Sequence, residues 1–213
     1  SKLYLCRRRG DGGVEATDTQ KLSDLNGPGS TAPYHILNTT LNLQGVVEES
    51  ARGRESDFFF FSKHFCGGAH TGYCRTSELE AWDRHVDLGT AMAISAAAAA
   101  PNMGRTTIRP LVFVLTLLNL RLGYWLPNPK LVNRKKAPRW GRGPRPGTLH
   151  LMREARGQLD ASHDLVNVSD GGHLENLAIY ELLRRRCKLI IAVDGEADPD
   201  ITFDGLVTLM RLA

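Results

Sequence analysis

The run from Leu165 to Val193 constrains this chain more than any other stretch. Leu165 to Val168 reads as a short strand, and Ser169-Asp170-Gly171-Gly172-His173 as a tight turn. Leu174 to Arg186 carries apolar Leu174, Leu177, Ala178 and Leu182 at helical spacing. Glu175 stands in its first turn and Arg184, Arg185 and Arg186 in its last, the charge order a helix dipole favours. Lys188 to Val193 is a continuous apolar run that suits a strand buried on both faces of a parallel sheet. The pattern therefore predicts a β-turn-α-β unit with a right-handed crossover. Asp170 and Asp194 then fall at the carboxyl ends of strands, the edge where open α/β sheets bind ligands.

Around this unit, the 213 residues have the ordinary mixture of a globular chain, 42% hydrophobic and 23% charged. Residues 1–31 are rich in Gly, Asp, Ser, Thr and Arg and read as a linker or surface loop, leaving 32–213 as one domain. Strands are expected over Tyr34–Leu43 and over Asp57–Ser62 with its four phenylalanines, with an irregular loop at 63–76. Leu88–Ala100 is alanine-rich and predicts a helix stopped by Pro101. Arg109–Leu122 reads as a buried helix, with a strand as its rival. The apolar run Leu111–Leu118 is too short to span a bilayer, which takes about 20 residues. Four cysteines and no signal-peptide pattern point to a reducing, cytoplasmic setting.

The net charge of +4 is local. Seven basic residues and no acid lie between Lys130 and Arg145, and without them the balance is 20 basic to 23 acidic. Residues 127–147 therefore read as an exposed basic loop. Lys135, Lys136, Arg139 and Trp140, with Trp125 nearby, suit peripheral contact with an anionic membrane, against the plainer reading of a solvated lid. No stacking platform accompanies the charge, so no nucleic-acid partner is expected.

Asp170 is the strongest candidate for chemistry. Gly171 and Gly172, as oxyanion or turn support, leave little bulk around its carboxylate, and the expected helix start offers N–H groups that favour the ionised form, as a general base needs. The plainer reading is a turn aspartate that caps the helix. His64, Cys66, His70 and Cys74 have the atoms for a zinc site but no familiar spacing, and no metal or other cofactor is expected. Asp194, Glu196, Asp198 and Asp200 read as a solvated acidic loop, and His173 as a surface residue at the helix start.

Residues 165–199, LVNVSDGGHLENLAIYELLRRRCKLIIAVDGEADP, resemble the C-terminal catalytic motif of bacterial patatin-like phospholipase domain proteins, and 88–104, LGTAMAISAAAAAPNMG, are similar to that family's alanine-rich helix. The resemblance implies a three-layer α/β/α hydrolase fold with a mostly parallel central sheet. It implies a Ser–Asp dyad acting on lipid acyl esters, in which Asp170 is the base and takes the serine proton directly. Gly-x-Ser-x-Gly, the family's nucleophile elbow, does not occur here, and neither does its oxyanion glycine run. Ser95 matches the Ser-Ala-Ala element and not the nucleophile. The expectation is thus the C-terminal part of a patatin-like domain, incomplete on its N-terminal side. An upstream segment supplies the elbow, and this chain alone is inactive. The alternative is a non-catalytic lipid-binding or protein-interaction domain of the same fold.

Overall fold

The computed structural model describes residues 5–8, 14–17, 20–43, 56–96, 102–103, 106–107, 123–135, 147, 159, 161–195 and 198–213. Its centre is a curled, six-stranded antiparallel sheet. In chain order the elements are β1 (Leu5–Arg8), β2 (Val14–Thr17), β3 (Ile36–Asn42), β4 (Ser56–Ser62), β5 (Phe65–Gly68), β6 (Gly72–Arg75), α1 (Thr76–Trp82), α2 (Leu88–Ser95), β7 (Asn102–Met103), β8 (Thr106–Thr107), β9 (Tyr124–Pro127), α3 (Pro129–Arg134), β10 (Leu165–Asp170), a 3₁₀ turn at Gly171–His173, α4 (Tyr180–Arg184) and α5 (Asp204–Leu212). The sheet order is β6-β5-β4-β3-β10-β9, and every pairing is antiparallel. β1–β2 and β7–β8 are separate two-stranded ribbons.

The four phenylalanines of β4 show why this sheet has two covered faces. Side chains alternate along a strand. Phe59 and Phe61 enter the main core with Leu41, Leu79, Trp82, Ile94, Leu126 and Val168, under α1, α2 and α3. Phe58 and Phe60 point the other way, onto Leu174 and the half-buried Ile36, Tyr180 and Leu212. Phe58 stacks on Tyr180 with centroids 4.5 Å apart. Burying each such ring contributes about 1.5–3 kcal/mol. α2 starts where Asp87 accepts the Thr90 N–H at 2.7 Å, and α3 starts with Pro129 after Asn128, which accepts the Lys130 N–H at 3.0 Å.

The expected parallel three-layer α/β/α fold is overturned, and the reason lies around β10. Its two edges are filled by antiparallel neighbours, β3 and β9. No slot remains beside it for a parallel strand. Lys188–Val193 accordingly joins no strand, and Leu189, Ile191 and Val193 are 80%, 82% and 90% exposed. The crossover helix is also cut short. The carboxylate of Glu175 accepts the N–H groups of Ile179 and Tyr180 at 2.8 and 3.1 Å, so the helix begins at Tyr180 and not at Leu174. Ala178 stands at φ 54°, a left-handed turn that breaks the expected helical run.

Three smaller readings change as well. The loop expected at 63–76 is the β5–β6 hairpin. Residues 1–31, read as a linker or surface loop, hold the β1–β2 ribbon and fully buried Leu22, whose N–H is held by Glu80 at 2.8 Å. The basic loop begins as α3, which packs Leu131 and Val132 into the core. The expected elements at 97–101 and 109–122 and the loop at 136–146 lie outside the described residues. No described helix is long and apolar enough to cross a membrane.

Candidate functional site

Asp170 closes β10, opposite Thr39 of β3, at the carboxyl end of an interior strand. Asp170 is half-buried, and its carboxylate accepts the Gly172 N–H at 2.9 Å, an Asx-type turn that sends the chain into the 3₁₀ turn. Among the described residues it makes no ion pair. Gly171 is buried against β3. A Cβ there would stand 2.5 Å from the carbonyl oxygen of Asn38, a backbone atom that cannot move aside cheaply. Gly172 is exposed, and a Cβ there would meet the side chains of Asn176 at 2.6 Å and Asp170 at 3.5 Å. The two glycines therefore do different work. Gly171 lets the turn lie on the strand end, and Gly172 supplies the N–H that orients the carboxylate.

The same Asn38 carbonyl accepts the Ser95 hydroxyl at 2.7 Å. The last residue of α2 is thereby brought to the turn that carries Asp170. A hydroxyl that donates to a main-chain carbonyl is not being deprotonated, so Ser95 here is a tether between α2 and β3. Asn38 itself carries no sequence signal. Its place in the site comes from register, since β3 lies antiparallel to β10 and sets its carbonyl beside Gly171.

His173 ends the 3₁₀ turn and is half-buried, not the surface residue expected. Its Nε2 is buried and has no partner among the described residues. Burial pushes its pKa below the ordinary 6.5, and the negative charge of Asp170 offsets part of that. The folded state thus binds a proton at His173 less readily than the unfolded chain. Stability from this residue is intact above the unfolded value and is lost as pH falls from 6.5 through the lower folded value. Urea midpoints at about pH 7.5 and about pH 5.5 are expected to differ more for the wild type than for His173→Gln. An unchanged difference would mean that His173 is not the group responsible.

The other sequence candidates do not converge. Trp125 is half-buried in β9, opposite Asn167, and by strand alternation it faces away from Tyr124 and Leu126, which pack on the core side with α3. Lys135 is exposed at the end of α3, on that core side. Lys136, Arg139 and Trp140 lie outside the described residues. Cys66 and Cys74 are buried opposite each other in the β5–β6 hairpin. His70 is instead held by Asp57 at 2.6 Å, and His64 stacks on Tyr34. Burial pushes the Cys66 thiol up to about 11, against hydrogen bonds with Thr76 and Ser62 that pull it down, so it is an uncharged and poor metal ligand. Among the described residues no three such groups gather around one point. In the acidic loop, Asp198 accepts the N–H groups of Thr202 and Phe203, which hold its carboxyl below the usual range.

The chain matches no family model, no curated protein and no solved structure.

Proposed function

We propose that the Asp170 turn is the base half of a Ser–Asp site that hydrolyses lipid acyl esters, a carboxylic-ester hydrolase of the phospholipase type. The observation that carries this reading is the carboxylate of half-buried Asp170 at the end of an interior strand, oriented by Gly172 and unpaired with any cation among the described residues. A base must be accessible and fixed in direction, and the strand-end position of Asp170 and its bond to the Gly172 N–H support that role. The serine comes from a segment with a nucleophile elbow outside these 213 residues, because the sequence has no Gly-x-Ser-x-Gly and Ser95 is tied to Asn38. Gly171 and Gly172 support the turn. Contact with an anionic membrane surface through Lys135, Lys136, Arg139, Trp140 and Trp125 belongs to the same proposal, although Trp125 and Lys135 lie on different sides of the sheet.

A second reading is favoured by the same hydrogen bond. A carboxylate that accepts the Gly172 N–H also caps the turn, which is all a non-catalytic lipid-binding module requires. The two readings separate in a hydrolase that carries the elbow, where replacing Asp170 stops turnover only if it is the base. For the 213-residue chain alone, the expected result is no release of p-nitrophenol from a p-nitrophenyl ester above background and no serine modified by a fluorophosphonate. Modification of Ser95 would overturn the assignment of the nucleophile to another segment.

A further inference from the structure

A groove of about 580 Å³ lies between α4 and the sheet face that carries Phe60. That size is within the range of about 300–1,000 Å³ typical of small-molecule sites. Its walls are apolar and aromatic. Ile36 and Phe60 form the floor, and Tyr34, Phe65 and Tyr73 form a rim in which each residue is 43–50% exposed. By contrast, the four phenylalanines of β4 are at most 6% exposed. Three half-exposed aromatic residues around one hollow therefore mark a surface kept open for an apolar ligand.

The charge at the rim narrows the ligand further. Glu181, with its side chain only 4% exposed, is held by Arg184 at 2.7 and 2.8 Å and by Arg185 at 2.7 Å. Two guanidinium groups on one carboxylate leave a net positive charge. Arg185 lines the groove, with its side chain 47% exposed. A planar guanidinium fork matches the geometry of a carboxylate. We infer that this groove binds a free long-chain carboxylate, with its hydrocarbon chain on Ile36, Phe60 and the rim rings and its head at Arg185. A hollow of this size has room for one hydrocarbon chain, whereas the surface of a bilayer is flat. The inference does not depend on the Asp170 reading, because binding is measured without hydrolysis.

The test is a titration of the whole 213-residue chain with a fluorescent polyene fatty acid, followed by displacement with palmitic acid or with hexadecanol, which lacks the charge. The acid is expected to displace the probe at least about tenfold better than the alcohol, the effect of one charge-assisted contact. Arg185→Gln is expected to remove that preference while leaving the alcohol unaffected, and Arg184 still holds Glu181 in that variant. Phe65→Asp, at a half-exposed position, is expected to weaken both ligands with the circular dichroism unchanged. The inference is overturned if no probe binds, if acid and alcohol compete equally, or if Arg185→Gln weakens both alike. It is also overturned if phosphatidylglycerol vesicles capture the chain through Phe65 while the free acid does not bind, since the rim would then be a membrane contact.

Discussion

Gly68→Ala is expected to destabilise the protein by about 3 kcal/mol or more, the upper part of the range for forced overpacking. Gly68 ends β5, next to Gly67, which pairs with Phe60 of β4. A methyl group there would stand 2.0 Å from the carbonyl oxygen of Phe58, which belongs to the backbone of the neighbouring strand. A rotamer change cannot relieve this contact, so one of the two strands must move. Movement of β4 would disturb both cores, because its alternate side chains serve one face each. Movement of β5 would break the Gly68 N–H contact to Thr71 at 3.0 Å and the seat of Cys66 under Thr76. Urea unfolding followed by circular dichroism is the measurement. Gly72→Ala is the control, since that position has open space and its cost comes only from φ 65°. Equal, small losses at both positions would mean that the β4–β5 crossing is not tight.

Parts of this architecture are legible in the sequence for plain reasons. β3 and β4 stand where β-branched and aromatic residues run together, and β10 stands where Leu165-Val166-Asn167-Val168 does. Short apolar runs specify a strand well and specify its neighbours poorly. The same Lys188–Val193 run that suits a buried parallel strand is left exposed once β3 and β9 hold both edges of β10. Pairing is decided by long-range competition, to which local periodicity is blind. The helix expected from Leu174 failed for a more local reason. Glu175 looked like a dipole-matching residue, but its carboxylate reaches forward to Ile179 and Tyr180 and starts the helix five residues later. In the site, Asp170 and its glycines were visible because turn chemistry is local. Asn38 was not, because its carbonyl matters only through the register of β3 against β10. The groove was hidden for a similar reason: Tyr34, Phe65, Tyr73 and Arg185 are far apart in sequence, and the sheet's curl and α4 bring them to one hollow.

Asp170→Asn, in a hydrolase where an elbow serine acts with this turn, is expected to lower kcat by about 10³-fold or more, within the range general-base removal produces. Asparagine keeps the shape and the oxygen that accepts the Gly172 N–H, so the turn is retained. It loses the negative charge and the basicity, and the serine proton then has no acceptor. Stability is expected to change by less than about 1 kcal/mol, because the one hydrogen bond persists and no ion pair with a described residue is broken. Gly171→Ala tests the same site from the other side. Its methyl group would meet the Asn38 carbonyl at 2.5 Å, displacing the turn while leaving the carboxylate chemically intact. Activity is then expected to fall together with stability, whereas in Asp170→Asn activity falls alone. The measurements are steady-state hydrolysis of a p-nitrophenyl ester and urea midpoints on the same preparations. If Asp170→Asn turns over within a few-fold of the wild type, the carboxylate is only a turn cap. If instead both variants lose activity strictly in proportion to stability, the turn supports the fold and the base lies elsewhere.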